Sequence, residues 1–244
     1  MRNLLKADLS RILRLKLLYI ALFLGMLNIV MSLANEYIKK DYAATAYVSA
    51  IELSFGGVIM ALSIVVPVFY MVYFQEFLSR SMICLLGWGL SRGKLVVSRL
   101  LIAAVLLFCI FVILAFFAGI FSLDPTLGVS NGQKGNLLIF ICLRYLRYLG
   151  YIIFSGMAMY LTNSAVVGII ASSAFALFFR AILAIIELMA DISIYDYTFD
   201  GLLDWAYTTL CLGGFAWQLI PALGYVAVAI AVTIHFFKGK EFEF

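Results

Sequence analysis

The stretch that decides the fold is Leu100–Phe121, LLIAAVLLFCIFVILAFFAGIF, a run with no charged, amide or proline residue. As an α-helix it is long enough to cross a hydrocarbon core of roughly 30 Å. Five further apolar runs have comparable length: Leu17–Leu33, Leu53–Tyr73, Leu137–Leu161, Ala165–Leu188 and Phe215–Phe237. No backbone N–H or C=O can go unpaired in lipid, so each is expected to be helical. A shorter run, Leu202–Gly214, contains Asp204 and suits a re-entrant or interfacial segment better than a span. Of the 244 residues 66% are apolar and 12% charged, against about a quarter charged in soluble domains. That composition excludes a soluble enzyme, a disordered chain and a disulfide scaffold. The expectation is an all-α polytopic membrane protein with six transmembrane helices and one integral membrane domain over 1–244. Its parts are an interfacial leader (1–16), a cytoplasmic segment (75–99) and an outer re-entrant segment (189–214).

Orientation follows from the lysines and arginines. With six spans and an internal N-terminus, the cytoplasmic side collects Arg2, Lys6, Arg11, Arg14, Lys16, Arg80, Arg92, Lys94, Arg99, Lys238 and Lys240. The outer side holds only Lys39, Lys40 and Lys134. Both termini are therefore expected in the cytoplasm. The first run has a basic leader and a small-x-small site at Ser32-Leu33-Ala34, which raises the possibility of a cleaved signal peptide. Cleavage would put the basic Arg80–Arg99 segment outside, so the run is read as a retained helix. In the leader, Leu5, Leu9, Ile12 and Leu13 share a helical face, with Arg2, Lys6, Arg11 and Arg14 around the rest. That is the pattern of a helix lying in the membrane interface against anionic lipid. Pro67 and Pro221 fall inside spans two and six and are expected to kink them. Ser164, Gly168, Ser172 and Ala176, four apart in span five, form a stripe on which another helix can pack closely.

Enzyme signatures are mostly absent. There is no HExxH, no GxSxG and no histidine pair to hold a metal. Cys84, Cys109, Cys142 and Cys211 share no metal-ligand spacing, and His235 is the single histidine. The run Gly89-Leu90-Ser91-Arg92-Gly93-Lys94-Leu95 falls short of a phosphate loop. Three residues separate its glycines instead of four, and leucine stands where a magnesium-binding Ser or Thr belongs. No catalytic, cofactor-binding or metal-ligating residue is assigned.

The most specific region lies between spans two and three. It reads Phe74-Gln75-Glu76-Phe77-Leu78-Ser79-Arg80-Ser81-Met82, then Leu85-Leu86-Gly87-Trp88-Gly89-Leu90-Ser91-Arg92-Gly93-Lys94, then Ser98-Arg99. This resembles the permeases of ABC-2-type transporters, in which span two ends in an acidic residue. There a short helix follows, and a Ser-Arg turn precedes a basic residue opening span three. Glu76, the Ser91-Arg92 pair and Arg99 hold the matching positions, whereas Ser79 and Ser81 flank Arg80 where Gly-Thr is frequent in the family. The resemblance implies that the segment couples to a separate ATP-hydrolysing subunit. Glu76, Arg80, Met82, Leu85, Leu86, Trp88, Ser91, Arg92 and Arg99 would then be the coupling residues. Apolar anchors ringed by charge suit such docking. It also implies a bacterial cytoplasmic membrane, two ATPase copies carrying ATP and magnesium, and a second permease, identical or related. Small permeases of this kind resemble exporters of antimicrobial or amphipathic peptides. Membrane lipid is an expected partner and nucleic acid is not.

Charges inside the spans form a second candidate site. Arg144, Arg147, Tyr148, Tyr151 and Ser155 recur at helical spacing in span four, while Arg180 and Glu187 lie in span five. A charge at mid-bilayer costs at least about 2.5–3.5 kcal/mol, so such residues face protein or a wet cavity. A tight hairpin at Thr162–Ser164 would put Arg147 level with Arg180 and make Glu187 the counter-ion of Arg144. The group reads either as a structural ion-pair network or as the lining of a translocation path. Outside the membrane Asp196, Asp200 and Asp204 stand four apart, with Trp205 following, and are candidates for an outer gate. Two other function classes remain open: a membrane-embedded lipid-modifying enzyme using Arg144, Arg147 and the tyrosines on phosphate head groups, and a structural subunit of another complex.

Overall fold

The computed structural model describes residues 2–38, 44–78, 91–121, 129–190 and 194–239. Among them every regular element is helical. The leader helix α1 (Arg2–Leu13) turns into α2 (Lys16–Ile38), and α3 (Ala44–Gly56) is followed by α4 (Val58–Phe69). A π-helical turn at Tyr70–Phe74 then leads into the short α5 (Gln75–Leu78). Beyond these come the long α6 (Arg92–Phe121) and α7 (Asn131–Thr162), then α8 (Ala165–Leu177) and α9 (Phe179–Ala190). A 3₁₀ turn at Tyr195–Tyr197, α10 (Phe199–Cys211) and α11 (Leu219–Gly239) complete the chain. Among the described residues five stretches are long and apolar enough to cross a membrane: Lys16–Asn35, Val58–Phe77, Arg92–Ile120, Asn131–Thr162 and Leu219–Phe237.

Span five of the sequence reading is the exception. Its helix ends at Leu177, and Phe178 adopts φ −108° and ψ −16° before α9 begins, so Ala165–Leu188 is two short helices rather than one rod. The small-residue stripe sits where packing demands it. A Cβ on Gly168 would stand 2.5 Å from the Phe69 ring and 2.9 Å from Met159 Cβ, and Ser172 and Ala176 are buried.

The prolines act differently from one another. Pro67 lies within α4, and the widened turn at Tyr70–Phe74 follows it. Pro221 does not kink span six, because α11 starts only at Leu219. It falls in the first turn, where a missing N–H costs nothing. Span two is displaced along the sequence from its apolar run, starting at Val58 and continuing to Phe77. The chain breaks at Gly57, and the carbonyls released there are caught from other helices. Asn28 Nδ2 donates to Ser54 O at 3.2 Å and Tyr148 Oη to Phe55 O at 2.7 Å, as buried backbone acceptors require.

The backbone of the bundle is α7, packed against α3, α4, α6, α8, α10 and α11. Local chemistry fixes both its ends. Ser130 and Gln133 form a reciprocal capping box at the start, and Asn163 takes the left-handed conformation (φ 55°) at the end. Ser164 then accepts from Val167 N to open α8. The hairpin expected at Thr162–Ser164 is therefore present.

Candidate functional site

Helix α10 is placed by two close approaches. Phe199 packs on Gly150 of α7, where a Cβ would come within 2.3 Å of the ring. Gly201 lies under the 3₁₀ turn, where a Cβ would come within 2.0 Å of Tyr195 O. Thr198 caps the helix, accepting from Gly201 N at 3.3 Å. Along α10 the partners on α7 run backwards. Phe199 meets Phe154 edge to face, Asp200 and Asp204 meet Arg147, and Tyr207 meets Phe140. The segment therefore enters beside the middle of α7 and runs back along it toward its N-terminal end.

The buried charges assemble around that helix. Arg147, 5% exposed, donates from Nη2 to Asp204 Oδ1 at 2.6 Å and to the Asp200 carbonyl at 2.8 Å. Its Nε lies 3.4 Å from Asp200 Oδ1. Tyr151 donates to Asp200 Oδ2 and Tyr195 to Asp204 Oδ2, each at 2.5 Å. Arg144 Nη2 stands 3.8 Å from Asp204 Oδ1, with its guanidinium 4.6 Å from the Phe140 ring centroid and against Gly56 at the end of α3. A cation there faces the negative end of the α3 dipole. Burial pushes the Asp200 carboxyl above the ordinary carboxylate range, with Arg147 pulling the other way. For Asp204 burial works in the same direction, but Arg147, the Tyr195 hydroxyl and Arg144 outweigh it and hold the carboxyl below that range.

The structure thus brings together Arg144, Arg147, Tyr148 and Tyr151 as the sequence suggested, with different counter-ions. Glu187 does not pair with Arg144; its Oε1 accepts from Tyr195 N at 2.5 Å. The depth estimate assumed a straight fifth span, and the break at Phe178 removes that premise. Arg180 lies in α9, and its side chain is outside the described residues. Tyr148 and Ser155 spend their hydroxyls on backbone carbonyls, Ser155 donating to Tyr151 O at 2.6 Å. Of the proposed outer gate, Asp200 turns inward, while Asp196, Asp204 and Trp205 border an open pocket of about 410 Å³ with Tyr195, Gly201 and Thr208.

A second buried cluster joins the ends of the expected coupling segment. Arg99, 1% exposed, donates from Nη1 to Asp8 Oδ2 at 2.5 Å and pairs through Nη2 with Glu76 Oε1. Arg11 approaches Asp8 at 3.9 Å, and Arg92 Nη1 donates to Phe237 O near the end of α11 at 3.2 Å. Glu76 and Arg99 therefore face each other inside the protein. Ser91 is exposed, whereas Arg80, Met82, Leu85, Leu86 and Trp88 lie outside the described residues. Sequence reasoning missed Asp8, the one acid of a basic leader, which was the available signal. It also missed Tyr195 and the Tyr207–Glu52 hydrogen bond of 2.5 Å.

No protein-family model matches the chain, and no curated protein matches it.

Proposed function

We propose that this multi-pass membrane protein is the permease subunit of an ABC-2-type transporter, exporting a hydrophobic or amphipathic substrate such as a peptide. Energy would come from ATP and magnesium on two copies of a separate ATPase, and a second permease would complete the path. The observation that carries the reading is the Glu76–Arg99 pair with Asp8. It ties the end of one apolar helix, the start of the next and the leader into one buried unit, so a pull on residues 79–90 would reach three helices together. Support also comes from the short α10 before the last span. The mostly uncovered apolar surfaces of α2 and α11 leave room for lipid or a second permease. Of the two arginines that a lipid-modifying enzyme would need for phosphate, Arg147 is engaged by Asp200 and Asp204, and Arg144 stands 3.8 Å from Asp204.

Because Glu76 is buried against Arg99, its removal tests folding before it tests docking. The apolar centre of the segment is the cleaner target. Trp88→Asp is expected to leave membrane insertion and thermal stability at wild-type levels. It should abolish co-purification with the ATPase of the proposed complex and the substrate-stimulated ATP hydrolysis of that complex in lipid. Wild-type assembly and hydrolysis in that variant would reject the coupling assignment.

Orientation in this reading has the bacterial cytoplasmic membrane around the bundle and both termini inside. Reporters fused after Lys240 or within Ser79–Arg92 should read cytoplasm, and those at Lys39 or Lys134 should read outside. A reporter after Lys240 reading outside would require an odd number of crossings and overturn the six-span arrangement.

A further inference from the structure

Between α6 and α7 the surface opens into a groove of about 580 Å³, within the size range of small-ligand sites. Phe108, Val112, Ala115 and Gly119 form one wall, with Leu138 and Ile141 opposite. Toward one end the α6 side of the groove carries only small residues, Ala115, Ala118 and Gly119, and a Cβ added at Gly119 would meet nothing within 4 Å. Its described lining is mostly apolar, which favours hydrocarbon inside it. The hydroxyls that border it are already engaged: Tyr47 donates to Ala118 O at 2.7 Å and Tyr145 to Ala104 O at 3.3 Å. Lys134, exposed in the first turn of α7, is the charged residue among the described lining. The antiparallel pairing of α6 and α7 puts it at the Gly119 end.

Length identifies the occupant. From Phe108 to Gly119 a helix rises about 16 Å, close to half of a hydrocarbon core of roughly 30 Å. The groove is therefore one leaflet deep, mostly apolar, cationic at its head-group end, and open sideways past the exposed Phe108 and Leu138. We infer that it holds an acyl chain of an anionic phospholipid from the surrounding bilayer, with the lipid phosphate paired to Lys134. A detached alkyl chain would leave the cation unused, and a zwitterionic head group would bring it no net charge. The inference is independent of the transport reading, since it needs only the membrane and the groove.

The test uses the full chain reconstituted with equal amounts of phosphatidylglycerol and phosphatidylcholine, re-extracted in mild detergent, with retained lipid counted by native mass spectrometry. The wild type should keep phosphatidylglycerol over phosphatidylcholine by roughly fivefold, the factor one lysine supplies at an anionic surface. Gly119→Phe fills the groove and should lose both lipids. Lys134→Glu, an exposed change that leaves folding alone, should lose the preference and keep phosphatidylcholine, and Lys134→Arg should keep the preference. Undiminished lipid in a folded Gly119→Phe protein would overturn the inference. So would an anionic preference that survives Lys134→Glu, or retention of added oleic acid in place of either phospholipid.

Discussion

Arg147→Leu should destabilise the protein by about 3–5 kcal/mol, the usual cost of stripping one partner from a buried charge cluster. Asp200, 2% exposed, would keep a carboxylate with no cation in hydrogen-bond reach, while Asp204 would still have Arg144 at 3.8 Å. The double variant Arg147→Leu with Asp200→Leu removes one charge of each sign and should recover most of the loss, because replacing both members of a buried pair is often near neutral. A double-mutant cycle on thermal unfolding in lipid nanodiscs measures this; additive losses would show that the two residues do not act as a pair. The single variant should also be pH-sensitive in a defined direction. Without Arg147 the strongest influence holding the Asp200 carboxyl down is gone, so burial outweighs the Tyr151 hydrogen bond and Arg144 and raises its folded pKa further above the unfolded value. A raised carboxyl pKa destabilises the fold at neutral pH and ceases to do so once the group is protonated in both states. The deficit of Arg147→Leu against wild type should therefore shrink as pH falls from 7 toward 5. An unchanged deficit would argue that Asp200 is solvated by water in the variant.

Arg99→Leu is expected to cost a similar amount, about 3–5 kcal/mol, and to do so by releasing α1. Its guanidinium bridges Asp8 of the leader and Glu76 at the end of the second apolar helix, and Arg11 at 3.9 Å is too distant and too exposed to take its place. Hydrogen exchange over Arg2–Leu13 should accelerate to the rate of a helix bound only at the lipid surface, while exchange in the middle of α7 stays slow. Unchanged protection of α1 would mean that the burial of Ile12, rather than the ion pair, holds the leader.

Much of this architecture was legible before any coordinate. Apolar run length gave the places of α2, α6 and α7 directly, because a bilayer imposes one length on every crossing. That α10 stands apart from the long apolar helices was marked by a run too short to span and carrying an acid. Spacing also put Arg144, Arg147 and Tyr151 on one face. What the sequence hid was everything that depends on a third element. The break at Phe178 has no proline or glycine beside it, so hydrophobicity alone reads straight through it. Without that break Glu187 looked level with Arg144, and the carboxylates that do the neutralising, Asp200 and Asp204, looked like an acidic face turned to water. Four-residue spacing suits a solvated stripe and a packed one equally, and the choice was made by Gly150 admitting α10 against α7 and by Gly201 admitting the 3₁₀ turn against α10. Likewise Glu76 and Arg99 were placed at the two ends of one segment, but only Asp8 arriving from the leader explains why both are buried.

The pairing of Arg147 with α10 also sets a schedule for how the chain is made. Asp200 and Asp204 lie 53 and 57 residues after Arg147. At translation rates of about 5–20 residues per second, the ribosome needs roughly 3–10 s to deliver them. For that interval α7 has emerged with two arginines and neither of their carboxylate partners, and lateral release into lipid would expose both at about 2.5–3.5 kcal/mol apiece. Nascent α7 is thus expected to be held back at the insertion machinery, or to linger with its arginines toward water, until α10 follows. The order of synthesis leaves the central helix of the bundle among the last to be seated.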